Sequence, residues 1–428
     1  MPKPRTSQID LSVLRTYLKE FAASVIRERE VAQHDYATFW SRRDNSLHLS
    51  QRETLEYRRL LTHSMERFAP NQDMSEQALD SALKDAIFTV VGDSAPNAEE
   101  LQDRIDEALV TFCDRLQAES EEFECWIPIA GADAKSLPVS FASTDFRVID
   151  DTDIDRLRNI VRTKHSADVQ GKLNHIERYL GPELVGTIVA IHRVRARDQD
   201  AGLMLAERAV LECIECLNFF AEMMPYNRGS LSVARNGPAT GTVTSLTLAS
   251  EGSFATEPKA KRPWTYSFAR HADLTPSAAK ALKRVEKLLS QERRTKIEDL
   301  LLRSVRWSGR SAAAETPEYT LLYAIIALES LLLPRGSGEL SFRLSRLVAR
   351  ILGKDQYSRL QLAQDVVRLY DLRSKVVHDG RIEVTESDQV QASAFAVEVI
   401  ARMVNDEEVA QATEFNDLQA ILDRRIAE

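Results

Sequence analysis

Arg373 and His378 are the residues whose types and spacing best fit chemistry in this chain. A histidine side chain exchanges protons near neutral pH, and an arginine keeps its positive charge under all physiological conditions. Together they supply a proton-transfer group and a fixed cation for the charge that develops on phosphorus when a phosphodiester is cleaved. RNA carries an internal nucleophile in its 2′-hydroxyl group. Such a pair is therefore suited to RNA cleavage without a cofactor.

A helix must position this pair. From Gln361 onward, apolar residues recur at the three-and-four spacing of a buried helical face: Leu362, Val366, Leu369, Val376 and Val377. Arg373 falls within that stripe, where a guanidinium is costly unless a carboxylate, a phosphate or a water-lined cleft receives it. Gly380 is placed to end the helix, so His378 lies in its last turn. Arg373 and His378 then lie well apart around the helix, and we expect them to converge on a cleft at its end or on one shared with a second copy.

A second helix offers a partner for Arg373. Residues Tyr319 to Leu333 are apolar nearly all round, with Pro317 in the first turn, which predicts a helix at the centre of a bundle. Glu329 is its one charged group after Glu318, and it flanks the apolar stripe. Pairing Glu329 with Arg373 would relieve the cost of burying either charge alone.

The pattern around these residues resembles a known superfamily. Residues 373–378 read Arg-Ser-Lys-Val-Val-His and resemble the Arg-x4-6-His signature of the HEPN superfamily, particularly its ApeA-like branch. Upstream, the stretch from Ala327 to Leu332 resembles the glutamate-bearing helix of those domains, and Trp307 precedes it. The resemblance covers roughly the last third of the chain. Arg58 and His63 have the same spacing without the surrounding pattern, and we interpret them as a chance match on an exposed amphipathic helix.

The resemblance implies a metal-independent endoribonuclease. His378 would be the general acid or base and Arg373 would bind the phosphate, with Glu329, Asp371, Ser374 and Lys375 as supporting groups. Such sites form at a two-fold interface to which each subunit gives one arginine and one histidine, so the resemblance also implies a homodimer. Members of this branch are associated with antiphage defence, in which cleavage of tRNA or other cellular RNA halts the infected cell (abortive infection). RNA and a regulatory protein or phage trigger are the implied partners.

A second interpretation of the same residues stays open. The chain would be a non-catalytic module for dimerisation and for binding RNA or a nucleotide, acting with a partner. Arg373 and Glu329 would then be a structural pair, and His378 a satisfied histidine at a helix end.

The net charge of −9 argues against a protein that coats nucleic acid through bulk charge. Any RNA contact must therefore be local. A basic helix predicted from Phe342 to Gly353 carries Arg343, Arg346 and Arg350 on one face. These three arginines are candidates for contact with the RNA backbone, and a solvated face is an equal alternative.

The sequence predicts no metal site and no cofactor. Cys213 and Cys216 form a Cys-x-x-Cys pair, but no second pair or suitably spaced histidine pair completes the four ligands that zinc needs. We interpret both as small buried hydrophobic residues. The sequence shows neither a secretory apolar segment at its start nor a run long enough to span a bilayer, so we expect a cytoplasmic protein without a membrane partner.

The elements predict an α+β fold that is mainly α. We expect three domains: a helical one over residues 1–122, a mixed α/β module over 123–275 and a HEPN-like helical bundle over 276–428. Ser50, Ser75 and Asn97 are expected to cap helices of the first. Three strands of the second are expected at 125–129, 139–142 and 185–194. The bundle should close with helices at 386–405 and 414–426, packed through Val390, Ala394, Val397, Ile400 and Met403.

Overall fold

The computed structural model describes most of the chain. The described residues are 11–30, 38–42, 45–92, 97–117, 119–163, 169–180, 184–224, 229–233, 242–248, 254–260, 265–333, 339–379 and 383–427. They are mainly helical with small antiparallel sheets, which confirms the predicted α+β, mainly α class.

Helices account for most of these residues. The α-helices are α1 (Ser12–Glu30), α2 (Gln51–Phe68), α3 (Glu76–Val91), α4 (Ala98–Leu116), α5 (Asp151–Thr163), α6 (Val169–His175), α7 (Gln199–Ala221), α8 (Pro276–Leu289), α9 (Lys296–Ala312), α10 (Pro317–Leu332), α11 (Leu340–Leu352), α12 (Gln356–Asp379), α13 (Glu386–Asn405), α14 (Glu407–Gln411) and α15 (Phe415–Ala427). The strands are β1 (Thr38–Arg42), β2 (Asn45–Leu49), β3 (Glu121–Ala130), β4 (Val139–Phe141), β5 (Thr144–Val148), β6 (Ile188–Ala196), β7 (Ser232–Val233), β8 (Thr242–Leu248) and β9 (Phe254–Ala260).

The chain forms two compact units. One contains Met1–Cys125 and Arg193–Ala206, and the other contains Trp126–His192 and Glu207–Glu428. The division into three domains made from the sequence stays a prediction.

The first unit contains helices α1 to α4. The three predicted capping residues are confirmed: Ser50 and Asn97 form capping boxes, and the Ser75 side chain accepts from the backbone N–H of Ala78. The prediction that residues 1–122 are helical throughout is wrong at β1 and β2, which pair as an antiparallel hairpin. Trp40 and Leu47 lie opposite each other in this hairpin and are buried. Burying this cross-strand pair on one face favours strands here over the expected helix.

Five of the strands form a sheet with the order β4-β5-β6-β3-β7. β4, β5 and β6 pair antiparallel in sequence, and β3 pairs antiparallel with β7. Strands at all three expected places are confirmed, but β5 was not predicted. It follows β4 after a two-residue turn in which Ala142 has a φ of 52°, a conformation that the sequence does not signal at an alanine.

Helix α7 is joined to α9 by a cluster of charged side chains around Glu215. Glu215 is buried and accepts from Nε of Arg306 at 2.6 Å and from Nε of Arg310 at 2.5 Å. Gly309 faces the same place, where a Cβ atom would lie 1.7 Å from the carbonyl oxygen of Glu215. Cys213 and Cys216 are buried in this helix, as predicted for small hydrophobic residues.

Helix α10 is the centre of the C-terminal bundle. Its predicted stripe of Leu321, Ile325, Leu328 and Leu332 is buried, and the helix packs against α9, α11, α12 and α13. Helix α13 has the predicted bounds, but its predicted packing face is partly wrong. Val390 is 60% exposed and Ala394 is exposed. The buried positions are Ala392, Ala396, Val399, Ile400 and Met403, a face rotated from the expected one.

A capping carboxylate makes the stability of this bundle depend on pH. Asp388 Oδ2 accepts from the hydroxyl of Thr385 at 2.7 Å, and its other oxygen pairs with Arg368. These bonds, the one from Thr385 first, lower the pKa of Asp388. A lowered pKa contributes stability that is present above the unfolded value and is lost as the pH falls through the folded value.

Asp388→Asn should therefore reduce the free energy of unfolding by about 1 kcal/mol at about pH 7, because the amide cannot replace the charged acceptor. The gap between the two proteins should be smaller at about pH 3, which lies below the ordinary pKa of an aspartate, because the stability from a lowered pKa is lost from the unfolded value downward. Urea titrations at both pH values measure this difference in the free energy of unfolding. Asp365→Asn is the control, since the Asp365 side chain has no hydrogen-bond partner among the described residues. An equal gap at both pH values would contradict the assignment.

Candidate functional site

Helix α12 carries both residues of the Arg-x4-His motif. It begins after Asp355, whose carboxylate accepts from the backbone N–H of Ser358 at 2.8 Å, and it ends at Asp379. Val366 and Leu369 bury its apolar face. The sequence therefore predicted both the helix and the position of His378 in its last turn.

Arg373 is paired with Glu329, as predicted. Its Nη2 atom lies 3.3 Å from Oε2 of Glu329 on α10. The two side chains are 23% and 21% exposed, so the pair is partly buried rather than enclosed. Nε of Arg373 is buried without a hydrogen-bond partner, and Nη1 has no acceptor among the described residues. The guanidinium therefore keeps donor capacity beyond Glu329.

Tyr370 is a third member of this cluster, and the sequence analysis missed its role. Its hydroxyl donates to Oε1 of Glu329 at 2.8 Å, and the guanidinium carbon of Arg373 lies 5.9 Å from its ring centre. Burial, with the hydrogen bond to Glu329 next, raises the pKa of Tyr370 to about 12. The signal was its position three residues before Arg373, which places the two on neighbouring parts of one helix face. Each carboxylate oxygen of Glu329 thus has a partner on α12, and the glutamate fixes the position of the Arg373 side chain.

His378 lies on a different side of α12. Five residues separate it from Arg373, which corresponds to about 7.5 Å along the axis and about 140° around it. His378 is exposed, and its side chain makes no hydrogen bond within the described residues. Arg373 faces Glu329 while His378 faces solvent, so the two side chains do not form one cluster within the chain.

The last turn of α12 also carries an exposed apolar residue. Val377 was predicted to lie on the buried face, but it is 49% exposed. It continues the face of Arg373 by one turn, beyond the place where the described part of the bundle covers that face. The prediction is wrong because apolar spacing predicts which face turns inward, not how far the neighbouring helices extend.

Asp371 and Lys375 line a cleft between α11 and α12. The cleft has a volume of about 640 Å³, and Arg346 lies in it beside Phe342. Of the three arginines of the basic helix, Arg346 lines the cleft, whereas Arg343 and Arg350 do not. Ser374 is half-buried, with no hydrogen bond of its hydroxyl among the described residues.

Arg58 and His63 lie exposed on α2, far in sequence from Glu329 and Tyr370. Among the described residues, no group of three or more histidine, cysteine, aspartate or glutamate side chains is arranged to hold a metal ion. None of the described helices combines the length and apolar character needed to cross a membrane.

Comparison of the chain with protein-family models, with curated proteins and with solved structures finds no match.

Proposed function

We propose that this protein is a metal-independent endoribonuclease of HEPN type that acts as a homodimer in the cytoplasm. One observation carries the proposal. Glu329, bonded to both Tyr370 and Arg373, fixes the Arg373 side chain, and the last turn of the same helix presents an exposed His378. The arrangement resembles the HEPN signature in its glutamate-bearing helix as well as in its motif.

The chemistry follows from what each group can do. A general base takes the proton of the 2′-hydroxyl, whose oxygen attacks the neighbouring phosphorus, and the 5′-oxygen leaves and gains a proton. His378 serves this proton transfer, because an exposed imidazole can reach a bound strand. Arg373 stabilises the negative charge on phosphorus through its Nη1 group, which has no acceptor among the described residues.

Two features favour a site shared between two copies. Arg373 and His378 of one chain point to different sides of α12, so a single chain supplies half of a site. Val377 lies next to His378 with its apolar side chain exposed, and a second copy of α12 across a two-fold axis would cover it. We propose that the histidine of one copy acts with the arginine of the other.

The nuclease is tested by incubating the purified protein with total tRNA and with messenger RNA in excess EDTA. Cleavage that leaves 2′,3′-cyclic phosphate and 5′-hydroxyl ends is expected. If intact RNA remains while a filter assay shows that it binds, the chain is the non-catalytic RNA-binding module of the second interpretation. Cleavage of tRNA in cells during phage infection would extend the proposal to antiphage defence, with a regulatory protein or phage component as its trigger.

Mixed dimers test the shared site. Co-expressed Arg373→Ala and His378→Ala chains, each with its own tag, should regain about a quarter of the wild-type rate, although each variant alone is inactive. Half of randomly formed dimers are mixed, and one of their two sites then has both groups. The rate is measured on the mixture and on mixed dimers isolated through both tags. Inactive mixed dimers would contradict the shared site.

A further inference from the structure

The cleft between α11 and α12 combines charged groups with an aromatic ring. Arg346, Asp371 and Lys375 line it, with the ring of Phe342 at one side and Ala363, Val367 and Leu372 as apolar lining. Its volume of about 640 Å³ lies within the range of small-molecule sites, which is about 300–1,000 Å³.

The charged side chains that line this cleft differ in whether they already have a partner. Arg368 is engaged by Asp388 and donates to Oε1 of Gln391 at 2.6 Å. In contrast, Arg346, Asp371 and Lys375 have no ion-pair partner within the part of the chain that the structure describes. Two cations and one carboxylate are therefore available to a ligand. A free phosphate would use the cations, but the carboxylate would repel it, so the cleft suits a ligand that carries both an anion and a hydrogen-bond donor.

The aromatic ring adds a third requirement. Phe342 is 53% exposed, although Leu344, Leu347 and Leu352 of the same helix are buried. The guanidinium carbon of Arg346 lies 5.6 Å from its ring centre. Exposed aromatic rings beside arginine are what unstacked RNA bases pack against. A flat base, a phosphate and an amino group together describe a nucleotide.

The cleft is also continuous with the proposed catalytic residue. Gln364, Arg368, Asp371 and Lys375 follow one another at three-and-four spacing along the cleft side of α12. His378 is the next position on that stripe, about 4.5 Å further along the axis than Lys375. A nucleotide in the cleft would place the adjoining phosphate towards His378.

We infer that this cleft holds one unstacked nucleotide of a single-stranded RNA beside the cleavage site. The base stacks on Phe342 and donates its amino group to Asp371, while Arg346 and Lys375 bind the phosphates. The inference rests on the proposed ribonuclease for the choice of RNA. It adds that adenine, cytosine or guanine is preferred over uracil, which has no amino group and whose ring N3–H lies between two carbonyl oxygens that a carboxylate repels.

The test measures RNA binding separately from cleavage. Fluorescence anisotropy on His378→Ala protein, which leaves the probe intact, compares four labelled five-nucleotide RNAs: all-uridine, and uridine with a central A, C or G. At least one probe with an amino group should bind about tenfold more tightly than all-uridine. When Asp371→Ala is combined with His378→Ala, the difference in affinity between the probes should fall to less than about twofold. Equal binding of the four probes, or a preference that survives Asp371→Ala, would overturn the inference.

The aromatic contact has a matched control. Phe342→Ala should weaken binding of the preferred probe about tenfold, whereas Tyr319→Ala on α10 should change it by less than about twofold. Tyr319 and Phe342 are both 53% exposed, but Tyr319 does not line the cleft. Lys375→Ala should weaken all four probes alike and reduce the salt dependence, as expected for a phosphate contact. Equal effects of Phe342→Ala and Tyr319→Ala would remove the stacking role.

Two further outcomes are separable. If Phe342→Ala changes the mass measured by light scattering instead of the affinity, the cleft is a contact between protein copies and the inference fails. If the wild-type protein cleaves no RNA but the binding pattern is as expected, the proposed nuclease fails and the nucleotide site remains.

Discussion

His378→Ala is expected to lower the rate of RNA cleavage by about 10²–10⁴-fold, the range that general acid–base catalysis contributes. The same change should alter the free energy of unfolding by less than about 1 kcal/mol, because an exposed side chain in the last helical turn contributes mainly through the helix dipole. Cleavage of a labelled RNA under single-turnover conditions and urea titration measure the two effects. A large loss of activity with an unchanged fold is the signature of a group that acts on substrate.

The chain contains a matched control for this variant. His63 lies on α2, is exposed and follows Arg58 at the same five-residue distance, but neither residue has an ion-pair partner among the described residues. His63→Ala should therefore cleave RNA at the wild-type rate. Wild-type cleavage by His378→Ala would end the nuclease proposal, and equal losses in both variants would show that the spacing alone does not identify the site.

Helix periodicity predicted how Arg373 is placed in the candidate site. The apolar stripe of α12 predicted that Arg373 faces inward, and the cost of an unpaired buried charge predicted a carboxylate partner. Glu329 is that partner, because α10 is apolar nearly all round and offers few other charged groups to its neighbours. Local spacing and a general energetic rule were sufficient for this part.

The remaining features of the site depend on how helices meet. Tyr370 contacts Glu329 because α10 and α12 cross at that point, and the sequence gives no crossing geometry. The cleft needs the separation of α11 and α12, and the sequence does not show that Arg346, rather than Arg343 or Arg350, lines it. Val377 is exposed because the described helices of the bundle do not cover the last turn of α12. Such features follow from long-range packing, which pattern analysis of one chain does not contain.

Substitutions of Arg373 and Glu329 distinguish a role in folding from a role in RNA cleavage. Arg373→Ala should abolish detectable cleavage and also lower the free energy of unfolding by about 1–3 kcal/mol. The loss is smaller than that for an enclosed ion pair because both side chains remain about one-fifth exposed and Tyr370 still donates to Glu329. Arg425→Ala is the control for burial. Arg425 pairs with Asp406, both side chains being 21% exposed, so its loss should cost comparable stability but leave cleavage intact.

Glu329→Gln completes the cycle, because it keeps the shape of the side chain and an acceptor for Tyr370 while removing the charge. Combined with Arg373→Ala, it should recover part of the lost stability, with a coupling of about 0.5–3 kcal/mol, since no unpaired carboxylate is left between the helices. It should not restore cleavage, because the cation that stabilises the charge on phosphorus is still missing. Urea titration and cleavage of labelled RNA by the four proteins of the cycle provide the measurements. Strictly additive stability effects would show that the two side chains are not energetic partners, and cleavage by Arg373→Ala would show that the arginine acts only in the fold.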